Sequence, residues 1–347
     1  MKKKHYQEKL EKTLAYAKHQ TTATGQTQHT VATKITKNNP YGQTPDLKHP
    51  NSLDDITRLA LVSDDNEIIQ IARNCTRKAF NSGPAGFPAN YQDADGEFRG
   101  RDGIPDHQKD LQDLYGRGLQ FAQKYDQEIF NTFQGKSTEE LTFPNSLSLT
   151  SIAYSRHIKQ NPKSELIVIL DRINTKLITK YNAHSDSNWI APGEIITYGA
   201  TYPTQALLES SIFFEKNRSL ALKSLDFLIE NTFINNQFSP IGNDGWFIKN
   251  QKKASYSKQA IEAGAMAETL GLAYIITEDK KYLNLIKKTE SYFHGDNEDN
   301  IKLVTEQGTV LDGIDNIDGN VAVNKNAGAE SQIAYLQTLK ALIGTLN

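Results

Sequence analysis

Apolar residues recur at helical spacing along almost the whole chain, and the strict alternation of a half-buried strand is nearly absent. Leu10, Leu14 and Ala17 open a first helix. Ile56, Leu59 and Ala60 share one face of a second, with Ser52 placed as its N-cap. Ile68, Ile71, Ala72 and Cys75 mark a third. Residues 81–107 are rich in Gly, Pro and Asp and break the pattern. Helical spacing resumes at Leu111 and runs through Phe133. Further helices are predicted over 146–160, 164–181, 203–216 and 218–232, then from Ile261, from Tyr282 and from Ile333. The helices form hairpins joined alternately by short turns and long polar loops. This rhythm predicts an all-α, single-domain (α/α)6 toroid over 1–347, with the loops at 81–107, 182–202, 235–257 and 294–325 gathered on one face.

Two of those loops concentrate candidate chemistry. Phe238 to Glu262 packs Asn243, Asp244, Trp246, Phe247 and Tyr256 ahead of a helix carrying Glu262. Asp312 to Ser331 is polar and Gly-rich ahead of a helix carrying Glu330. Carboxylates and amides hydrogen-bond hydroxyls, and an indole offers a flat apolar face to a sugar ring. Trp246 and Trp189, the only tryptophans, are therefore candidate stacking platforms. Glu262 and Glu330 lie among small residues, which permit close helix packing. Burial there would raise a carboxyl pKa, as a general acid requires.

Composition narrows the choice of ligand. There are 39 Lys and Arg against 41 Asp and Glu, a net charge of −2. The balance offers no basic field for nucleic acid. One cysteine, Cys75, excludes an internal disulfide and a cysteine zinc site. The eight histidines form no HExxH motif, and the runs Asp93-Asp95-Glu97 and Asp312-Asp315-Asp318 miss the full spacing of a calcium loop. No metal or cofactor is expected. No apolar stretch reaches membrane-span length and no signal peptide is evident, so a cytoplasmic setting without membrane contact is expected.

Six motifs, in order over about 52–340, resemble a bacterial family of six-hairpin (α/α)6-toroid, glycosidase-like proteins. Members occur alone or as C-terminal modules of glycosyltransferases. The motifs are SLDDITRLAL at 52–61, LQDLYGRGLQFA at 111–122, WIAPGEIITYGATYPTQALL at 189–208, FSPIGNDGWF at 238–247, ASYSKQAIEA at 254–263 and DGIDNIDGNVAVNKNAGAES at 312–331. The resemblance implies an oligosaccharide substrate and a possible glycosyltransferase partner. It carries Asp54, Asp55, Arg58, Asp113, Arg117, Tyr198, Gln205, Asn243, Trp246, Gln259, Glu262, Asp312, Asn324, Asn326, Glu330 and Ser331 as retained motif positions. The chain departs from the pattern at 199–202, where Gly-Ala-Thr-Tyr replaces Asp-Asn-Ala-Arg, at Ser257-Lys258 and at Ala327.

The expected activity is inverting glycoside hydrolysis by a carboxylate pair. Glu262 and Glu330 are the first choice, with Asp54, Asp55 or Asp113 as the other source of one member. Trp246, Asn243, Asp244, Arg58, Arg117, Trp189, Tyr198, Gln259, Asp312, Asn324 and Asn326 are expected to bind substrate. Asp113 and Arg117 have the i,i+4 spacing of an ordinary helical ion pair. The rival readings are a glycan-binding or glycosyltransferase-associated module without catalysis, and a polysaccharide lyase or sugar epimerase. In the last, Tyr198 or a histidine would abstract a proton and Arg58 or Arg117 would neutralise an acidic substrate.

Overall fold

The structure is a computed structural model describing residues 2–22, 25–46, 51–93, 95–98, 107–135 and 138–346. Part of the expected 81–107 loop, residues 94 and 99–106, lies outside them. Among the described residues there are twelve α-helices: α1 (Lys2–Gln20), α2 (Leu53–Ser63), α3 (Asn66–Ser82), α4 (Gln108–Tyr125), α5 (Gln127–Phe133), α6 (Pro144–Gln160), α7 (Leu166–His184), α8 (Tyr202–Ser210), α9 (Lys216–Thr232), α10 (Ile261–Thr277), α11 (Lys280–Tyr292) and α12 (Ala329–Thr345).

The even-numbered helices close a ring, with α2 on α4, α4 on α6, α6 on α8, α8 on α10, α10 on α12, and α12 back on α2. Each packs an odd-numbered partner outside it, and α1 supplies the partner of α12. This is the expected (α/α)6 toroid. The inner helices are buried on most sides, so their apolar stripe is broad. The inner ring is close-packed because of its small residues: at Gly264 a Cβ would stand 2.7 Å from Ala334 Cα, so α10 and α12 approach to backbone distance.

Inner helices pass to outer ones by short links such as residues 64–65 and 278–279. Outer helices return to inner ones by long links. These long links place the N-termini of the inner ring on one face, around a large cavity.

Three local expectations are corrected. The helix read through Phe133 is two helices. Asp126 caps the second by accepting from the Ile129 amide, and it also binds Arg77 Nε at 2.8 Å. The chain is not purely helical, because short strand pairs edge the cavity face. In the largest, Gly313–Ile317 pairs with Asn320–Asn324 and, on its other edge, with Lys258–Gln259. Its turn residues Asp318 and Gly319 both have positive φ, 51° and 82°. This is the Asp-Gly turn whose twist suits a tight hairpin. Third, helix α8 ends at Ser210 rather than 216.

Candidate functional site

The six inner helices direct their first turns at the cavity, whose volume is about 600 Å³. Asp54 and Asp55 come from α2, Asp110 from α4, Asn145 from α6, Tyr202 from α8 and Glu330 from α12. Helix N-termini carry partial positive charge, which suits carboxylates gathered there. Ser52 fixes the start of α2: its hydroxyl accepts from the Asp55 amide and donates to Asp55 Oδ2 at 3.0 Å.

Asp54 lies between two arginines. Arg58 Nη1 donates to its Oδ2 at 2.9 Å, and Arg117 Nε reaches its Oδ1 at 3.0 Å. Burial works to raise the Asp54 pKa, but the two guanidiniums outweigh it and hold the carboxyl below its ordinary value. The same Arg58 nitrogen reaches Glu330 Oε1 at 3.3 Å. One oxygen from each of Asp54, Asp55 and Glu330 lies within 4.8 Å of the others. Arg58 and Arg117 supply the balancing positive charge that a cation would otherwise bring.

The neighbours of Asp54 behave in the opposite way. Burial, then the nearby Glu330 and Asp54, push the Asp55 carboxyl well above its ordinary value. Burial also raises Glu330; Arg58 opposes it, while Asp54 and Asp312 reinforce it. The open part of Glu330, 49% of its side-chain surface, faces the cavity, so protein still surrounds it. Asp54 is thus held below the ordinary carboxyl range while Asp55 and Glu330 are held above it.

Glu262 does not line the cavity. It is 7% exposed, and its oxygens accept from the Gly199 amide at 2.7 Å and the Ala200 amide at 3.4 Å. Burial lifts its pKa to about 7, against the pull of those two amides. The first departure from the family pattern explains the contact. Gly199 has φ +69°, and a Cβ there would overlap the Tyr202 ring, so this bend requires glycine. Tyr202 in turn carries the Arg117 guanidinium 4.6 Å from its ring centroid.

The other departures are also built into the structure. Lys258 is buried, with its ammonium on Glu298 at 3.0 Å and Asp299 at 2.7 Å. Ala327 is fully buried, and its backbone exchanges hydrogen bonds with Thr30.

Asp113 and Arg117 do not pair with each other. Arg117 crosses to Asp54, and Asp113 accepts from Lys109 at 2.6 Å, Tyr198 Oη at 3.0 Å and Ser146 Oγ. Asp113, Arg117, Tyr198, Asn243, Gln259, Asp312 and Asn324 line the cavity, while Arg58 lies beneath its floor. Asp244, Asn326 and Trp246 are outside the wall. Trp246 is half-buried in left-handed backbone, φ +59°. Trp189 belongs to the core. It is 3% exposed, meets Phe227 and Phe247 edge-on, and donates Nε1–H to the Gly193 carbonyl at 2.7 Å. The arrangement therefore lacks the expected pairing of Glu262 with Glu330 across the cavity. The close Asp54–Asp55–Glu330 trio also lacks the water gap of an inverting pair.

Sequence reasoning missed the N-terminal contribution. Thr27 and His29, from the link between α1 and α2, line the cavity. His29 Nε2 meets Asp312 Oδ2 at 2.7 Å. The hydrogen bond that His29 donates to Asp312, opposed by burial, raises the His29 pKa. Asp312 is itself held by the Gly328 amide and by Ser331 Oγ at 3.0 Å. The only available signal was that 21–51 is another long outer-to-inner link.

Comparison with solved structures supports the fold. A sugar epimerase from a ruminal bacterium superposes with a TM-score of 0.66 at 12% identity, over 98% of this chain and 99% of that one. A D-mannose isomerase gives 0.64 at 12% identity, over 99% and 98%. The GH76 α-mannanase BT2949 of Bacteroides thetaiotaomicron gives 0.57 at 11%, over 97% and 95%. The chain has the six-hairpin toroid fold of these proteins. No protein-family model matches the sequence. No curated protein matches it significantly. No helix among the described residues is long and apolar enough to cross a membrane.

Proposed function

We propose that this protein is a glycan-processing enzyme that hydrolyses a neutral oligosaccharide with Asp55 and Glu330. The observation that carries the proposal is the close carboxyl pair at the cavity floor, pushed toward protonation beside an ionised Asp54. Such opposed carboxyls are costly to a merely structural site, and they are what acid–base chemistry on a glycosidic bond needs. Asp55, raised the more strongly, is the general acid that protonates the leaving oxygen. Glu330, which burial raises but the Arg58 guanidinium it touches holds back, is the partner that must react in its ionised form. The spacing suits direct attack by Glu330 on the anomeric carbon. Water then cleaves the glycosyl ester, with Asp55 now taking the proton, so the configuration is retained.

A lyase or epimerase working on an acidic sugar fits less well. Arg58 and Arg117 are already engaged by Asp54. Burial, then Asp113, pushes the Tyr198 phenol far above its ordinary range, away from use as a base. The cavity wall also carries Asp110 and Asp315, neither with an ion-pair partner among the described residues, which favours neutral over anionic glycans. The sequence resemblance suggests that the protein works beside a glycosyltransferase. The test is proton NMR of the first-formed sugar during hydrolysis of a panel of neutral mannans, glucans and galactans. Retention is expected, and an initially inverted product rules out the Glu330 ester.

A further inference from the structure

We infer that the side pocket next to the cavity is a subsite for a short apolar substituent of the glycan, an acyl group above all. This inference deepens the proposed glycan reading and rests on it for the identity of the sugar. The side pocket has a volume of about 110 Å³ and shares Asn145 and Tyr198 with the main cavity as common wall. Its walls are mostly aliphatic, from Pro144, Ile190, Ile196, Pro203 and Leu228, with the 53%-exposed Ile195 at its rim.

The side-chain polar groups of Tyr181, Ser224, Lys109 and Asn145 on the wall already make hydrogen bonds, which leaves the Thr197 hydroxyl. Tyr181 Oη lies 3.0 Å from Ser224 Oγ, and Ser224 Oγ lies 2.8 Å from Thr204 Oγ1. Lys109 Nζ donates to Asp113 and to Tyr198 Oη. Asn145 Nδ2 donates to the Tyr198 carbonyl at 3.1 Å. A charge entering this pocket would lose water without gaining equivalent bonds, whereas the methyl end of a short acyl chain would not. The space is that of a small substituent, such as an acetamido or acetyl group, and not of a second sugar ring.

The partition between the two spaces explains how one ligand could use both. Lys109, Asp113 and Tyr198 form a bonded unit, and Lys109 also sits 4.5 Å from the centroid of the Tyr198 ring. A sugar ring in the cavity would pass its substituent beside Asn145 and Tyr198, while its hydroxyls stay among the carboxylates and amides.

The experiment uses trifluoroacetamide as an acyl probe, followed by fluorine NMR on the full chain. Calorimetry of mannose against N-acetylmannosamine, and glucose against N-acetylglucosamine, runs alongside. The blocking variant is Gly193→Leu. A Cβ there meets only the Ile195 carbonyl at 3.8 Å and Gly193 lines the pocket, so a leucine has room to be built into it, with the melting temperature recorded as a check on the fold. The expected result is probe binding to the wild type that falls at least tenfold in Gly193→Leu. Ile195→Ala, which opens the rim, should keep probe binding. In at least one sugar pair the acylated member should bind more tightly, and Gly193→Leu should erase that difference. Absence of probe binding, or equal binding in Gly193→Leu, overturns the subsite. Probe binding that Gly193→Leu abolishes, with no sugar bound, keeps the subsite and fails the glycan reading instead.

Discussion

Asp54 and Asp55 are consecutive residues in one helical turn, yet their carboxyl pKa values are driven in opposite directions. Successive helix positions point about 100° apart, so one carboxyl reaches Arg58 and Arg117 while its neighbour faces Glu330. A two-residue motif thus supplies an ionised anchor and a proton-holding group.

The anchor role of Asp54 has a stability consequence. Arg58 is 2% exposed, and two of its nitrogens have no hydrogen-bond partner. Asp54→Asn would leave its charge, and that of Arg117, poorly compensated. Breaking a buried ion pair from one side typically costs about 3–5 kcal/mol. Asp54 is a quarter exposed, so about 3 kcal/mol is expected by chemical denaturation. A loss below about 1 kcal/mol would show that the arginines find other partners.

Glu262 sets a pH dependence of stability. Its pKa is raised to about 7 in the folded chain, from the ordinary 4.5. A raised carboxyl contributes fully below the unfolded value, and its contribution is lost as pH rises through the folded one. Between about pH 4.5 and 7 the wild type should therefore lose up to roughly 3 kcal/mol from this group. Glu262→Gln mimics the protonated form. The stability difference between wild type and variant, measured by denaturant unfolding from pH 4.5 to 8, should shift toward the variant as pH rises. A pH-independent difference would place the Glu262 proton elsewhere.

The toroid was legible because its signals are repetitive. Helical periodicity, short inward-to-outward turns and long return loops each recur around the ring, so local errors such as the break at Asp126 did not disturb it. The site was legible only as a collection of residues. Asp54, Asp55, Arg58, Arg117, Asp312 and Glu330 all stood out, but their pairing depends on distances between helices far apart in sequence. Glu330 and Arg58 are 272 residues apart. Glu262 looked like a catalytic twin of Glu330 because both follow polar loops in small-residue helices. What separates them is the Gly199 bend, whose amide turns toward Glu262. Trp189 was misread for a related reason: a tryptophan in a loop can still fill a core when a Gly193 carbonyl meets its indole nitrogen. His29 lay in a stretch without periodicity, where only the fold could place it.

The most direct test compares glycan hydrolysis by the wild type, Asp55→Asn, Glu330→Gln and Glu262→Gln on the same neutral panel, with melting temperatures recorded for each. Acid–base and nucleophilic roles are each worth about 10²–10⁴-fold. Asp55→Asn and Glu330→Gln should lose at least about a hundredfold in rate. Asp55→Asn should fold as stably as the wild type or more so, because it removes a carboxyl repelled by its neighbours, and Glu330→Gln keeps an oxygen for Arg58 to bond. Glu262→Gln should keep most activity. Full activity in Asp55→Asn and Glu330→Gln, or a collapse confined to Glu262→Gln, would contradict the assignment.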